Sequence, residues 1–409
     1  MATTLQLGYR GIFANTEYRA LFGAQTISVV GDQFARVALS VLVFDRTHSP
    51  AWTALTYGLT FLPDLVGGPL LSGLADRYPR RGLMIGADLT RAGLVALMAV
   101  PGMPIAVVCA LLIAVQLISA PANAARGALL PAVLGDADYP AGQAAMQSVT
   151  QFAQVIGFAG GGALVAAVGT GGVLLADAAT FAASALLVLW LVLPRPPAVA
   201  GADVARRSWW PDLRAGTRLV WTDRRLRALV GFACLSGFYI VGEAIAVPYA
   251  DALHGGALAV GFLFAGYAAG AAVGMLVVAR LAEPLRLRLL SPLALGTSLP
   301  LVLCFVNPDL AVVIALFVAS GVGSAYQVIA STTFVIAVPD ARRGQAFGLA
   351  VTALKVAQGL GVTLAGLAAE VAAPYLVVGA AGVLGMLAAA GIAWSWRAAG
   401  SERAIFAPA

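Results

Sequence analysis

Apolar residues along this chain do not alternate with polar ones. They run for roughly 20 residues at a time, and such runs recur about twelve times between short polar breaks. A helix of that length crosses the hydrocarbon core of a bilayer. The runs place spans over 18–45, 52–75, 82–101, 104–125, 143–168, 171–194, 226–251, 258–281, 289–306, 309–334, 344–370 and 374–396. Backbone polar groups surrounded by lipid must be hydrogen-bonded inside their own segment, so the fold class is an all-α polytopic membrane protein with twelve transmembrane helices.

The polar breaks carry the orientation. Arg77, Arg80 and Arg81 follow span two. Arg195, Arg206, Arg207, Arg214, Arg218, Arg224 and Arg225 follow span six, Arg286 and Arg288 follow span eight, and Arg342 and Arg343 follow span ten. The alternate loops hold little beyond Asp45, Arg46, His48, Asp251, His254 and Asp309. Arginine marks cytoplasmic loops, so both termini are expected in the cytoplasm. The same placement turns the net charge of +6 into a topology signal and excludes a nucleic-acid partner. Composition agrees: 60% of the 409 residues are hydrophobic and 11% charged, with mean hydropathy +0.90, where a soluble chain carries about 25% charge. Cys109, Cys234 and Cys304 lie inside spans without metal or redox spacing and read as small core residues. The first apolar run is full length and stays as span one rather than being removed as a signal. Abundant arginine and alanine fit a high-GC bacterium, hence a bacterial inner membrane.

Residues 195–225 break the pattern with Pro196, Pro197, Pro211, Trp209, Trp210 and clustered arginines. They read as a cytoplasmic linker between an N-terminal six-helix bundle, 1–194, and a C-terminal one, 226–409. The halves echo each other at nearly constant spacing. Val29-Val30-Gly31-Asp32 matches Ile240-Val241-Gly242-Glu243, Leu74-Ala75-Asp76 matches Leu281-Ala282-Glu283, and Gly142-Gln143-Ala144 matches Gly344-Gln345-Ala346. Two pseudo-symmetric bundles with a site between them are one known transporter plan.

These features resemble the major facilitator superfamily, and more narrowly its macrolide-efflux and siderophore-exporter branch of drug:proton antiporters. The loop signature after helix two is carried by Gly73, Leu74, Ala75, Asp76, Arg77, Arg80 and Arg81, with Pro79 in place of the usual glycine. Asp88-Leu89-Thr90-Arg91-Ala92 and the run Arg126-Gly127-Ala128-Leu129-Leu130-Pro131 resemble that branch's third and fourth helices, and Gly31-Asp32 its first. The helix-five antiporter motif is partly kept in Gly157-Phe158-Ala159-Gly160-Gly161-Gly162, with Phe158 where proline is expected. The resemblance implies the major facilitator fold, alternating access, and helices one and seven lining a central cavity. It also implies a proton gradient as the energy source, with no cofactor.

Ionisable groups inside spans are costly and face a cavity or a partner, so they are the candidate site. Asp32 and Glu243 sit at matching mid-span positions and suit proton coupling or cargo contact. For Asp32 an ion pair with Arg36, one turn on, is the alternative. Lys355, mid-span in helix eleven, needs an acid from another helix or an anionic cargo. Asp64, beside Pro63, is either a second titrating site or a cap on the helix freed by the proline. Tyr239 lies one turn before Glu243. Asp177 reads as an anchor for a neighbouring backbone. Asp76, Arg77, Arg80, Arg81, Asp88, Arg91 and Arg126 form an expected inner-side gating network. Gly157, Gly160 and Gly161 strip side chains from one helix face for close packing or rocking, as do Gly359, Gly361 and Gly366 in span eleven.

The expected function is secondary active export of amphipathic, drug-like molecules or secondary metabolites in exchange for protons, hence multidrug efflux and antibiotic resistance. The alternative is a specific anion such as a siderophore, with Lys355 and Arg36 in contact. A membrane enzyme is disfavoured, because the two histidines lie in outer loops and no metal-spaced set, Gly-x-Ser-x-Gly turn or phosphate-binding loop is present. A passive channel is disfavoured by paired halves with buried acids. The expected partners are a small-molecule substrate and the lipid bilayer, around a monomer.

Overall fold

A computed structural model describes residues 11–61, 63, 67, 71, 74–195, 220–338 and 343–398. Among them, nine helices are long and apolar enough to cross a membrane. Where they are described, the expected segments fall on helix apart from their ends and from turns at residues 60–61, 235, 245 and 324–325. The chain divides into two compact units, Met1–Arg46 with Leu59–Val204, and Thr47–Gly58 with Ala205–Ala409.

The first unit contains α1 (Thr16–Thr47), α3 (Leu74–Arg77), α4 (Arg80–Met98) and α5 (Ile105–Leu191); α2 (Pro50–Leu59) belongs to the second unit. Asn15 starts α1: its Oδ1 accepts from the Glu17 and Tyr18 amides at 2.9 and 3.2 Å, while its Nδ2 donates to the Val133 carbonyl at 3.0 Å. The cap thus also ties α1 to span four. α5 is three spans run together. Its backbone leaves helical geometry at Gly135 and Gly169, both with φ of 71°, a left-handed conformation that glycine adopts without the clash of a Cβ. An apolar cluster including Tyr18, Leu21, Met84, Leu129, Met146 and Val188 closes this unit near the Arg80–Arg81 end. There Arg80 Nη1 donates to the Ala128 carbonyl at 2.8 Å, and Arg81 donates to the carbonyls of Val188 and Leu189.

The second unit adds α6 (Arg224–Cys234), α7 (Ser236–Ala244), α8 (Ala246–Ala252), α9 (Gly256–Arg280), α10 (Glu283–Val302) with a 3₁₀ turn at Leu303–Val306, α11 (Leu310–Gly323), α12 (Tyr326–Ala337), α13 (Arg343–Ala369) and α14 (Pro374–Ala398). Span seven is therefore three short helices rather than one, broken at Leu235 and Ile245. α9 and α11 cross at small residues. A Cβ on Gly270 would overlap the Val318 carbonyl oxygen, and one on Gly321 the Tyr267 carbonyl oxygen.

Burial is inverted relative to a water-soluble protein. Asp88, Arg91, Asp177 and Gln33 are inside, while Ile156, Trp190, Leu360, Leu364 and Trp394 face outward. That arrangement suits a hydrocarbon solvent.

Candidate functional site

The first unit buries a charged cluster drawn from four spans. Asp32 comes from α1, Asp88 and Arg91 from α4, and Arg126 and Asp177 from two different spans of α5. Arg91 Nη2 meets Asp32 Oδ1 at 2.9 Å, and its Nη1 lies 3.7 Å from Asp88 Oδ1. Its guanidinium carbon sits 3.9 Å from the centre of the Phe181 ring. A planar cation stacked on one face still has its in-plane donors free for carboxylates, which is why arginine suits this position better than lysine. Ser184 Oγ donates to Asp88 Oδ2 at 2.6 Å. Arg126 donates to Gln25 Oε1 and, at 3.1 Å, to Asn123 Oδ1, and it lies within electrostatic reach of Asp88 and Asp32.

The ion pair of Asp32 is therefore with Arg91, 59 positions away, rather than with Arg36. Arg36 instead holds its guanidinium carbon 5.9 Å from the centre of the Phe158 ring. The residue that replaces the expected motif proline thus has a use as a cation–π platform. Asp177 also departs from expectation. Rather than anchoring another helix's backbone, its carboxylate accepts from Thr180 Oγ1 at 3.2 Å and presses on Gly31, where a Cβ would overlap both groups. Next to Gly31 in the chain stands Asp32. Sequence reading separated Asp32 as a coupling residue from Asp88, Arg91 and Arg126 as gating residues, whereas the structure joins them in one network.

Gly157, Gly160 and Gly161 lie against α1. Their positions face Gln33 and Val30, then Phe34, then Val37 and the Phe34 backbone. Arg77 is exposed. The side chain of Asp76 and the whole of Asp64 lie outside the described residues, as do the 196–219 linker with Trp209 and Trp210.

In the second unit Glu243 sits next to the last residue of α7, just before the break at Ile245. A carboxylate there faces the negative end of a helix dipole and so benefits from a donor. Tyr57 of α2 supplies it, with its hydroxyl donating to Glu243 Oε2. The Tyr57 ring is 2% exposed and stacks on Phe264 at 5.7 Å between centres. Tyr239 does not pair with Glu243. It stacks on Tyr267 at 5.7 Å and accepts from Gln327 Nε2. Lys355 is half-buried on α13. An apolar cavity of about 120 Å³ lies between α6, α12 and α13, lined by Leu229, Phe334, Phe347, Val351 and Leu354 with Gln327 at its polar edge.

Sequence reading missed how α2 is held. Gly366 of α13 lets α2 approach closely: a Cβ there would come 2.7 Å from Ala54 Cβ and 3.0 Å from Ala51 Cα. Glu370 then caps α2 from outside, accepting from Ser49 Oγ and from the Ala51 amide at 3.0 Å. Those bonds, the serine first, hold its carboxyl below the usual glutamate value. A lowered value means that the cap is present at neutral pH and is lost as pH falls through the folded-state value. We expect Glu370→Ala to raise hydrogen–deuterium exchange of the Ala51 amide at least severalfold at neutral pH, and to a lesser degree that of Trp52, which donates to the Ser49 hydroxyl that Glu370 holds, because these first-turn amides have no intrahelical acceptor. Unchanged exchange would refute the cap.

The comparisons agree with this architecture. The enterobactin exporter EntS of Escherichia coli O1:K1 is 30% identical over 317 residues, covering 71% of this chain and 70% of that protein. That of E. coli O139:H28 is 30% identical over 308 residues, covering 69% and 68%. A POT family transporter solved with 5-aminolevulinic acid superposes with TM-score 0.73 at 11% identity, over 93% of this chain and 96% of that one. A bacterial homolog of the human lysosomal transporter Spinster, inward-facing and unoccupied, gives 0.66 at 14% identity, over 94% and 96%. At such identities the solved structures speak for fold alone. The Major Facilitator Superfamily family model matches residues 21–247 and 228–405, and with the helical fold and the exporter relatives this establishes that the chain belongs to that superfamily, as a multi-pass membrane transporter.

Proposed function

We propose that this transporter exports a small secondary metabolite of the siderophore class by alternating access, with protons moving the other way. The observation that carries the proton coupling is the Asp32–Arg91 pair. Arg91 is buried, but the Asp32 side chain is 31% exposed, so a proton can reach it. Neutralising Asp32 removes one partner of a buried cation inside the membrane region, which is a large local change in energy. Similarity to the enterobactin exporters favours the cargo class. A second reading is export of amphipathic drug-like molecules, to which the apolar lining beside Gln327 would offer contacts, its cavity of about 120 Å³ being too small to enclose one in this conformation.

Thermal stabilisation of the purified protein separates the two. Enterobactin at 100 times its dissociation constant should stabilise by about 2.7 kcal/mol, while macrolides and dyes at similar concentrations should do less. The stabilisation should change between two pH values in the native protein and lose that dependence in Asp32→Asn. Lys355→Ala should weaken binding of an anionic cargo and spare cationic dyes. Stabilisation by dyes alone would favour the drug reading, and pH-independent binding would remove the proton coupling.

A further inference from the structure

Asp177 is 1% exposed, yet among the described residues it forms no ion pair. Its carboxylate has one hydroxyl partner, Thr180 Oγ1, and that hydroxyl lies closer to the Asp177 carbonyl, at 2.7 Å against 3.2 Å. A single shared neutral donor does not offset the cost of burying an ionised carboxylate, so such a group keeps its proton. Its surroundings are nevertheless charged. Asp32 follows Gly31, the residue on which Asp177 presses, and both Asp32 and Arg91 act on Asp177 electrostatically. Around them stand Asp88 with Ser184, Arg126, and Arg36 on α1.

We propose that Asp177 and Asp32 are alternative counter-ions of Arg91, so that the protein holds one proton on one or the other. In the arrangement seen, Asp32 is the acid bonded to Arg91, and the exchangeable proton is assigned to Asp177. When a proton arrives at the partly exposed Asp32 carboxylate, that ion pair is lost. Arg91 then turns to Asp177, whose O–H bond breaks as its proton passes by way of the Thr180 hydroxyl to water, leaving the Asp177 carboxylate paired with Arg91. One proton is taken up and one is given off, with an arginine displacement in between. Asp177 is a positioning and proton-holding residue for the coupling proposed above, and this inference rests on that reading.

Infrared spectroscopy of the full-length protein in nanodiscs, with no cargo, tests it in the C=O stretching region of protonated carboxylic acids. The native protein should show such a band at neutral pH. Asp177→Asn, an isosteric neutral replacement, should remove it while leaving the melting midpoint nearly unchanged. Asp32→Asn should free Arg91 for Asp177 and lower the pH at which the band titrates away. Asp177→Glu should restore a band. A band that survives Asp177→Asn would overturn the assignment, and an unmoved titration in Asp32→Asn would overturn the exchange. Proteoliposomes with an entrapped pH dye and enterobactin as probe report separately on the wider reading. Absent proton movement there with the band present would remove the antiport while leaving Asp177 as a proton holder.

Discussion

Replacing Arg91 with methionine should destabilise the first unit by about 3–5 kcal/mol, the cost of breaking a buried ion pair from one side. Methionine keeps much of the volume, so the loss is electrostatic. Asp88 is 0% exposed and would keep only Ser184 as a direct partner, and Asp32 would lose its 2.9 Å contact. The stack on Phe181 goes as well, which removes a contact of the kind worth up to about 2 kcal/mol when desolvated. The expected readout is a melting midpoint in detergent lower by about 10 °C. Adding Asp88→Asn should recover part of the loss, because it removes one of the stranded charges. That recovery separates an electrostatic cause from a packing defect, which the second substitution would not repair. A midpoint equal to that of the native protein would show that Arg91 is not the hub of the cluster.

Arg91 also shows what was legible in the sequence. Its own helix was readable from the apolar run over 82–101, and its charge marked it as a residue with a partner. Asp88, three residues before it on the same face, was readable as a partner; Asp32 was not, because pairing across 59 positions depends on which spans pack together. Local spacing offered Arg36 to Asp32, and the fold chose Arg91. Asp177 was misjudged for the same reason, since only the packing of span six on Gly31 brings it beside Asp32. Helix boundaries were better specified, because Asn15, Gly135, Gly169 and Asp309 each start or interrupt a helix by local chemistry. The breaks in span seven were signalled only weakly: Gly237 follows Leu235 by two residues, and Pro248 cannot donate to the carbonyl of Ala244, the residue before Ile245. The assignment of Thr47–Gly58 to the second unit was equally invisible. It arises from Gly366, Glu370 and Glu243, more than 180 residues downstream in the chain.

The glycines of span eight were open to reading, and their spacing was the signal. Gly266, Gly270 and Gly274 recur every fourth residue and so share one face. In the structure that face meets α11, where Gly321 presents a backbone without a side chain. At Gly270 an added Cβ would overlap the Val318 carbonyl oxygen and lie 2.8 Å from the carbonyl carbon, so it meets backbone that cannot rotate away. Gly270→Leu should therefore force α9 and α11 apart, at about 3 kcal/mol, the upper end of ordinary overpacking penalties. Gly270→Ala should show the same sign with a smaller effect. Gly296 on α10 is the matched control, because nothing lies within 4 Å of a Cβ built there. Gly296→Ala should be neutral or stabilise by up to about 1 kcal/mol, since alanine loses less backbone entropy than glycine on entering a helix. Melting midpoints of the three variants decide the matter. If Gly270→Leu and Gly296→Ala melt alike, glycine in these spans reflects composition rather than a helix crossing. If they move in opposite directions, close backbone approach is what holds α9 against α11.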